Sequence, residues 1–265
     1  MLKRQGRSFL AALMIGCLVA GAAGAAAKRQ PKPAGAGWPP IAGKPDLWKG
    51  LWEPRYWEAP QPGAQAEPPP LTPAYAARLD ADLKAAAANT GGASPSANCL
   101  PPGMPRIMKM NYPYQFAMAP GQIIILVETY MQVRHVFMDG SPDHYTDGDR
   151  PYINGHSTGR WEGDTLVIDT VGIDPATPLG SQGNSLISVP IHHSDQLKVQ
   201  ERIRLLDKDT MEIRTTAEDP QALTRPWTTT TRLYRIEGDL DEYVCEQNNR
   251  AFIDETGRQG VRLEK

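Results

Sequence analysis

Three of the five histidines in the chain lie beside polar and acidic residues in two short motifs. His156 stands in a Gly-His-Ser-Thr-Gly sequence before a strand pattern, and His192 and His193 are followed by Ser194 and Asp195. An imidazole near an acid titrates around neutral pH, as general acid or base catalysis requires. The motifs therefore predict proton-transfer chemistry with His156, His193 and Asp195 as catalytic candidates. The alternatives are a loop histidine satisfied by the backbone and an ordinary strand cap.

The strand pattern after His193 places a carboxylate on its apolar face. Every second residue from Leu197 to Leu205 is apolar except Glu201, and alternate residues of a strand share a face. Because a buried carboxylate is costly unless it is paired or hydrogen-bonded, Glu201 predicts either an arginine partner or a functional cavity. Glu128 raises the same expectation in another apolar run. Glu128 and Glu201 therefore join the candidate catalytic residues.

Four further side chains are candidates for ligand binding. Tyr130, Trp161 and Trp227 could line an apolar pocket, and Arg225 could stack on Trp227 or hold an anionic group. The aromatic residues could equally belong to an ordinary core. These side chains favour a hydrophobic or aromatic small molecule as the ligand.

Cofactor and metal motifs are weakly represented. The chain has no phosphate-binding loop, dinucleotide fingerprint or redox Cys-x-x-Cys motif, so we expect no cofactor. His156 and His193, with Asp195 or a glutamate, could hold zinc or another divalent ion, but the sequence has no His-x-His or His-Glu-x-x-His spacing. A metal site is therefore kept only as an alternative.

The N-terminus is typical of a secretory signal. Basic residues open the chain, an apolar run covers Phe9–Val19, and small residues fill 20–27. We expect cleavage of 1–27 and a periplasmic or secreted protein, rather than lipid anchoring at Cys17. Cleavage would shift the formal net charge from −2 to −5, which argues against a nucleic-acid partner. No other stretch is apolar enough to predict an integral membrane span.

Cleavage would also leave two of the three cysteines, Cys99 and Cys245. An even pair in an exported chain predicts a disulfide, here from the start of the folded region to its last strand. The alternative is two unpaired buried cysteines.

Composition divides the remaining chain into three regions. Residues 28–70 form a Pro- and Gly-rich arm, in which Trp48 and Trp52 suggest a segment lying across the main domain. Residues 71–92 contain a helix that starts at Thr72 and Pro73, and 93–265 form a β domain.

Strand patterns in the β domain follow one another with short turns. They cover 122–130, 132–138, 161–170, 197–205, 210–217, 228–236 and 242–246. Because no helical crossovers separate them, the sheet should be antiparallel. Seven or eight strands are enough for closure into a barrel or a strongly bent sheet.

Five short motifs are distributed along the chain. They cover Cys99–Arg106, Gly155–Thr170, His193–Leu197, Asp219–Thr228 and Tyr243–Asn249. Together they resemble a family of exported bacterial proteins found in proteobacteria and acidobacteria, over most of residues 45–250. The resemblance implies export and a β-rich domain, and it implies no particular activity. The expected architecture is similar to a lipocalin-like β-barrel, which by itself assigns no function.

These features favour an exported, cofactor-independent enzyme that transfers protons on a hydrophobic or aromatic small molecule, as a lyase, isomerase or hydratase. In this hypothesis one histidine is the base and the other the acid, and Glu128 or Glu201 orients one of them or exchanges the proton itself. The first alternative is a non-catalytic periplasmic binding protein for an apolar ligand. A metal-dependent enzyme and a structural envelope protein are further alternatives.

Overall fold

The computed structural model describes residues 43–55, 67–88, 99–140, 150–183, 188–248, 251–253, 255 and 259–261. All of them belong to one unit, residues 33–265. The expected signal segment 1–27 and Cys17 lie outside the described residues.

Most of the described regular structure is β-strand. The strands are β1 Leu51–Pro54, β2 Tyr114–Ala119, β3 Gln122–Val127, β4 Gln132–Phe137, β5 His156–Glu162, β6 Thr165–Val171, β7 Gly180–Gly183, β8 Ser188–Ile191, β9 Lys198–Leu205, β10 Thr210–Glu218, β11 Trp227–Ile236, β12 Ala251–Ile253 and β13 Gln259–Val261. The helices are α1 Pro73–Ala87 and α2 Cys245–Asn248, with single 3-10 turns at Arg106–Lys109 and Thr129–Met131.

Nine of these strands close into a barrel in the order β1-β11-β10-β9-β6-β5-β4-β3-β2. The remaining strands form two small hairpins, β7 with β8 and β12 with β13. This confirms a mainly β fold consistent with a lipocalin-like barrel and accompanied by one long helix. Alternation explains the closure, because the apolar face of each strand points to a shared interior. In β9, for example, Val199 and Ile203 are buried whereas Lys198 and Arg204 are exposed.

One pair of neighbouring strands is parallel, which differs from the expected antiparallel sheet. β4 and β5 pair through Val136 with Ser157 and Phe137 with Thr158. Parallel neighbours require a long connection, and the chain between Phe137 and His156 provides it.

The barrel is closed by a strand that the sequence did not indicate. Residues 51–54 lie between β11 and β2 as β1, instead of lying across the domain. Trp52 is fully buried, and its indole N–H donates to the carbonyl oxygen of Leu47 at 2.9 Å.

The prediction of a strand at 242–246 was wrong, because this segment is irregular and then enters α2.

Helix α1 packs against the barrel through Tyr75 and Leu79. Pro73 occupies its first turn as expected, but the Thr72 hydroxyl does not cap the helix. That hydroxyl instead donates to the carbonyl oxygen of Gln221 at 2.8 Å. The threonine therefore fastens the start of the helix to the connection between β10 and β11.

The two ends of the barrel differ. At one end, short turns at 120–121, 163–164 and 206–209 join β2 to β3, β5 to β6 and β9 to β10. The strand directions place the longer connections 128–131, 172–197 and 219–226 at the opposite end, where the segment entering β2 also lies. We call these the tight-turn end and the loop end. Binding residues commonly lie where connecting segments gather on a rigid scaffold, so the loop end is where a site is expected.

Candidate functional site

An ion pair lies inside the barrel near the loop end. Arg134 of β4 and Glu201 of β9 have side chains that are 2% and 0% exposed, and Arg134 Nη2 lies 2.6 Å from Glu201 Oε2. The same Nη2 donates to the hydroxyls of Ser157 at 3.1 Å and Thr170 at 2.8 Å. Both of its hydrogens are thereby used, so its contact with Glu201 is electrostatic rather than a hydrogen bond. The burial of Glu201 confirms the inward orientation that the alternation predicted.

Several buried polar atoms near this pair have no hydrogen-bond partner among the described residues. They include Arg134 Nη1, Glu201 Oε1 and Thr229 Oγ1. Thr229 is linked to Glu201 through the sheet, since Glu201 pairs with Thr215 and Thr215 pairs with Thr229. Leaving a buried polar atom unpaired costs about 1–3 kcal/mol, and native proteins contain few such atoms. These atoms therefore keep unused hydrogen-bonding capacity inside the barrel.

A second cation, Lys109, acts on the same carboxylate. Its ammonium lies 4.5 Å from the centroid of the Trp227 ring, and the indole N–H of Trp227 donates to the carbonyl oxygen of Glu67 at 2.7 Å. Burial lowers the pKa of Lys109 to about 8, and the charge of Glu201 opposes this shift. Arg134, Glu201, Lys109 and the indole ring of Trp227 thus lie toward the same end of the barrel.

His193 is buried, and both of its ring nitrogens lie close to oxygen atoms of the protein. Its Nδ1 lies 2.7 Å from the carbonyl oxygen of Ser194 and must donate to it, while Nε2 lies 3.3 Å from the hydroxyl of Thr177. Burial lowers the pKa of His193, which favours the neutral ring. The Thr177 hydroxyl itself donates to the carbonyl oxygen of Asp174 at 2.7 Å. Because both ring nitrogens face protein atoms, the geometry favours a structural role for this histidine.

Asp219 reinforces the same region. Its buried carboxylate accepts hydrogen bonds from the backbone N–H and hydroxyl of Ser194, both at 2.7 Å, and from the backbone N–H groups of Gln221 and Ala222, both at 3.0 Å. The carboxylate therefore holds the connection before β9 against the connection before β11.

The buried neutral ring of His193 predicts a pH-dependent stability. Its pKa is lower in the folded than in the unfolded chain, so the unfolded chain binds more protons below the ordinary histidine pKa of about 6.5. The free energy of unfolding should therefore fall as pH decreases through that value toward the folded pKa. Urea unfolding at about pH 7.5 and about pH 5 measures this change for the wild type and for His193→Asn. Between the two pH values, the free energy of unfolding should fall less for His193→Asn than for the wild type. His135→Gln, at an exposed residue of β4, should behave as the wild type, and an unchanged pH response in His193→Asn would contradict this role.

The other candidate catalytic residues lie in different surroundings. His156 follows Gly155, whose φ of +62° suits glycine, and its ring meets Tyr152 edge to face at 4.6 Å. Asp195 is exposed at a turn. Glu128 lies beyond the end of β3, where its carboxylate accepts a hydrogen bond from the backbone N–H of Asp241 at 3.0 Å. Glu128 therefore does not share the interior position of Glu201.

The four candidate ligand-binding residues are dispersed. Trp161 lies near the tight-turn end, where its ring meets Trp48 edge to face at 6.5 Å. Tyr130 packs on Tyr243 at 5.2 Å, and burial raises its pKa to about 12. Arg225 pairs with the exposed Glu67 at 2.8 Å. Trp227 alone among the four adjoins Lys109, so it is the one that the structure brings to the interior charges.

The two cysteines of the folded region are paired. Cys99 and Cys245 are at disulfide distance, with their Cα atoms 5.7 Å apart and a sequence separation of 146. Cys245 is the first residue of α2 and does not lie in a last strand. The bond thus attaches the segment after β11 to the chain before β2.

Two further findings bear on alternatives. Among the described residues, no three histidine, cysteine, aspartate or glutamate side chains gather to hold a metal ion. In the same part of the chain, no helix has the length and hydropathy needed to cross a membrane.

Sequence reasoning missed Arg134 and Lys109. The sequence did contain a signal for Arg134. Arg134 lies on the same strand face as the apolar Val136, and an inward-facing Glu201 requires a positively charged partner. Lys109 had no comparable signal, since it ends a 3-10 turn within a proline-rich segment.

Comparisons with family models, curated proteins and solved structures found no match for this chain.

Proposed function

We propose that this chain is an exported binding protein for a hydrophobic or aromatic small molecule that carries an anionic group. The molecule would enter at the loop end, with its anionic group near Arg134 and Lys109 and its ring near Trp227. The observation that carries this proposal is the set of unpaired buried atoms beside the Arg134–Glu201 ion pair.

Charge supports an anionic group on the ligand. Arg134 and Lys109 bring two positive charges to the single carboxylate of Glu201. A buried cation without a full set of partners is costly, and a guanidinium is well suited to binding a carboxylate. A ligand carboxylate would therefore offset the excess positive charge and accept hydrogen bonds from Arg134 Nη1.

Hydrogen bonding favours binding over a two-histidine mechanism. A general base needs a ring nitrogen that can reach the substrate, whereas both nitrogens of His193 face protein atoms. One version of the proton-transfer hypothesis is still supported. In that version Glu201 exchanges the proton through its Oε1 atom, which has no hydrogen-bond partner among the described residues. Recovery of a bound compound in altered form would favour that second candidate function.

Export is part of the proposal. The basic and apolar leader, the resemblance to exported bacterial proteins and the Cys99–Cys245 pair all support it, because disulfides persist in oxidising compartments.

The binding proposal predicts a charge-dependent affinity for naphthalene-2-carboxylate, an aromatic anion that serves as the probe. Titration calorimetry should detect binding to the wild type and at least about tenfold weaker binding to the double variant Arg134→Met/Glu201→Met, since a charged hydrogen bond contributes about 1.5–3 kcal/mol. The neutral probe naphthalene-2-carboxamide should also bind the wild type more weakly.

The matched control for this titration is Arg204→Met. Arg204 lies on the outer face of the same strand as Glu201, where it pairs with Glu212 at 2.7 Å. The Arg204→Met variant should bind naphthalene-2-carboxylate with the same affinity as the wild type. Equal affinity of the wild type and the double variant for naphthalene-2-carboxylate would refute the proposed site.

A further inference from the structure

We propose that Lys109 forms a reversible imine with the carbonyl carbon of an aldehyde or ketone held at the loop end. This inference rests on the proposed binding function and names a class of ligand for the same site. Its basis is the position of one amine, which lies against an indole ring and is influenced by the charge of the interior carboxylate Glu201.

The backbone around Lys109 is held firmly against the barrel. Ile107 and Met108 are buried in the core. The hydroxyl of Tyr114, in β2, lies 3.0 Å from the carbonyl oxygen of Ile107 and 2.7 Å from that of Met110. These contacts flank Lys109 on both sides in sequence and fix the origin of its side chain.

The amine itself is not engaged in an ion pair. Within the part of the chain that the structure describes, no carboxylate lies within ion-pair distance of Lys109 Nζ, and its recorded close contact is with the ring of Trp227 at 4.5 Å. The charge of Glu201 in β9 acts on this amine, and Arg134 of β4 lies 2.6 Å from that carboxylate. A largely desolvated lysine loses its proton more readily, and its neutral amine is a nucleophile.

The proposed step needs no added oxidant or reductant. The lone pair of the neutral Nζ forms a bond to the carbonyl carbon, while the C=O π electrons move to oxygen, which takes up a proton. The carbinolamine then loses its hydroxyl group as water, and the C=N bond forms. The proton that nitrogen gives up is taken by the departing oxygen, so the step releases one molecule of water. The face of Trp227 would stabilise the protonated imine through a cation–π contact.

The experiment treats the full mature chain with benzaldehyde and sodium cyanoborohydride at about pH 7, and measures labelling of each lysine by peptide mass spectrometry. At that pH an amine with a pKa of about 8 is roughly one-tenth neutral, whereas an ordinary lysine is less than about one-thousandth neutral. Lys109 should therefore be labelled at least about tenfold faster than the exposed Lys198 and Lys208. Its rate should also level off above about pH 8, while theirs continue to rise.

Equal labelling rates for Lys109 and Lys208 in the wild type would overturn the inference. This ratio is read within one folded protein, so it does not depend on the stability of any variant. Lys109→Arg should remove the fast site and keep a positive charge, and Lys198→Arg should leave the fast site unchanged. Failure of the imine is distinguishable from failure of the binding proposal, because naphthalene-2-carboxylate has no aldehyde or ketone and reports binding alone.

Discussion

Arg134→Met is expected to lower the free energy of unfolding by about 3–5 kcal/mol. The substitution leaves Glu201 fully buried without the guanidinium that lies 2.6 Å from it, and an uncompensated buried charge is among the most destabilising defects in a protein. Urea unfolding followed by circular dichroism measures the change.

The double variant Arg134→Met/Glu201→Met should recover most of that loss, to within about 1–2 kcal/mol of the wild type, because apolar side chains often replace a buried ion pair at little cost. The hydroxyls of Ser157 and Thr170 would still be paired with each other at 2.9 Å. Arg204→Met, which breaks a more exposed pair, should cost no more than about 1 kcal/mol. A double variant as unstable as Arg134→Met would contradict this account of the interior.

Taken with the titration, these variants separate stability from function. A stable double variant that no longer binds naphthalene-2-carboxylate would mean that the ion pair serves ligand binding. The stability of the barrel would then rest on its buried apolar side chains, such as those of Ile203, Met211 and Leu233.

Replacing both Cys99 and Cys245 by serine is expected to lower the free energy of unfolding by about 2–5 kcal/mol. The bond closes a loop of 146 residues, so its removal greatly increases the conformational freedom of the unfolded chain. The loss should appear in urea unfolding of the double variant, compared with the oxidised wild type.

Removal of this bond should also weaken the packing of the segment after β11. The ring of Tyr243 packs on Tyr130, and the backbone N–H of Asp241 donates to Glu128. Reduction of the wild type with dithiothreitol provides the control and should reproduce the stability of the serine variant. Equal stability of the oxidised wild type, the reduced wild type and the variant would show that the bond contributes nothing.

The parts of the fold that the sequence predicted follow from local patterns. The alternation in Leu197–Leu205 identified both a strand and an inward Glu201, because strand periodicity is visible within a few residues. The turn at Gly163 and the start of α1 at Pro73 were likewise marked by residues suited to those backbones.

The parts that the sequence did not predict depend on contacts between distant segments. Arg134 meets Glu201 only because β4 and β9 face each other across a closed barrel. Trp161 and Trp227 looked equivalent as pocket residues, yet strand direction puts them toward opposite ends. His193 resembled a catalytic base, whereas its partners Thr177 and Ser194 are arranged by the long connections of the loop end.

Native mass spectrometry of the protein purified from its source organism tests the central claim most directly. The wild type should carry an additional mass that is released on denaturation and belongs to an aromatic or hydrophobic compound with an acidic group. The Arg134→Met/Glu201→Met protein, purified in the same way, should lack that mass. Equal retention of the compound by both proteins would contradict a binding site built on Arg134 and Glu201.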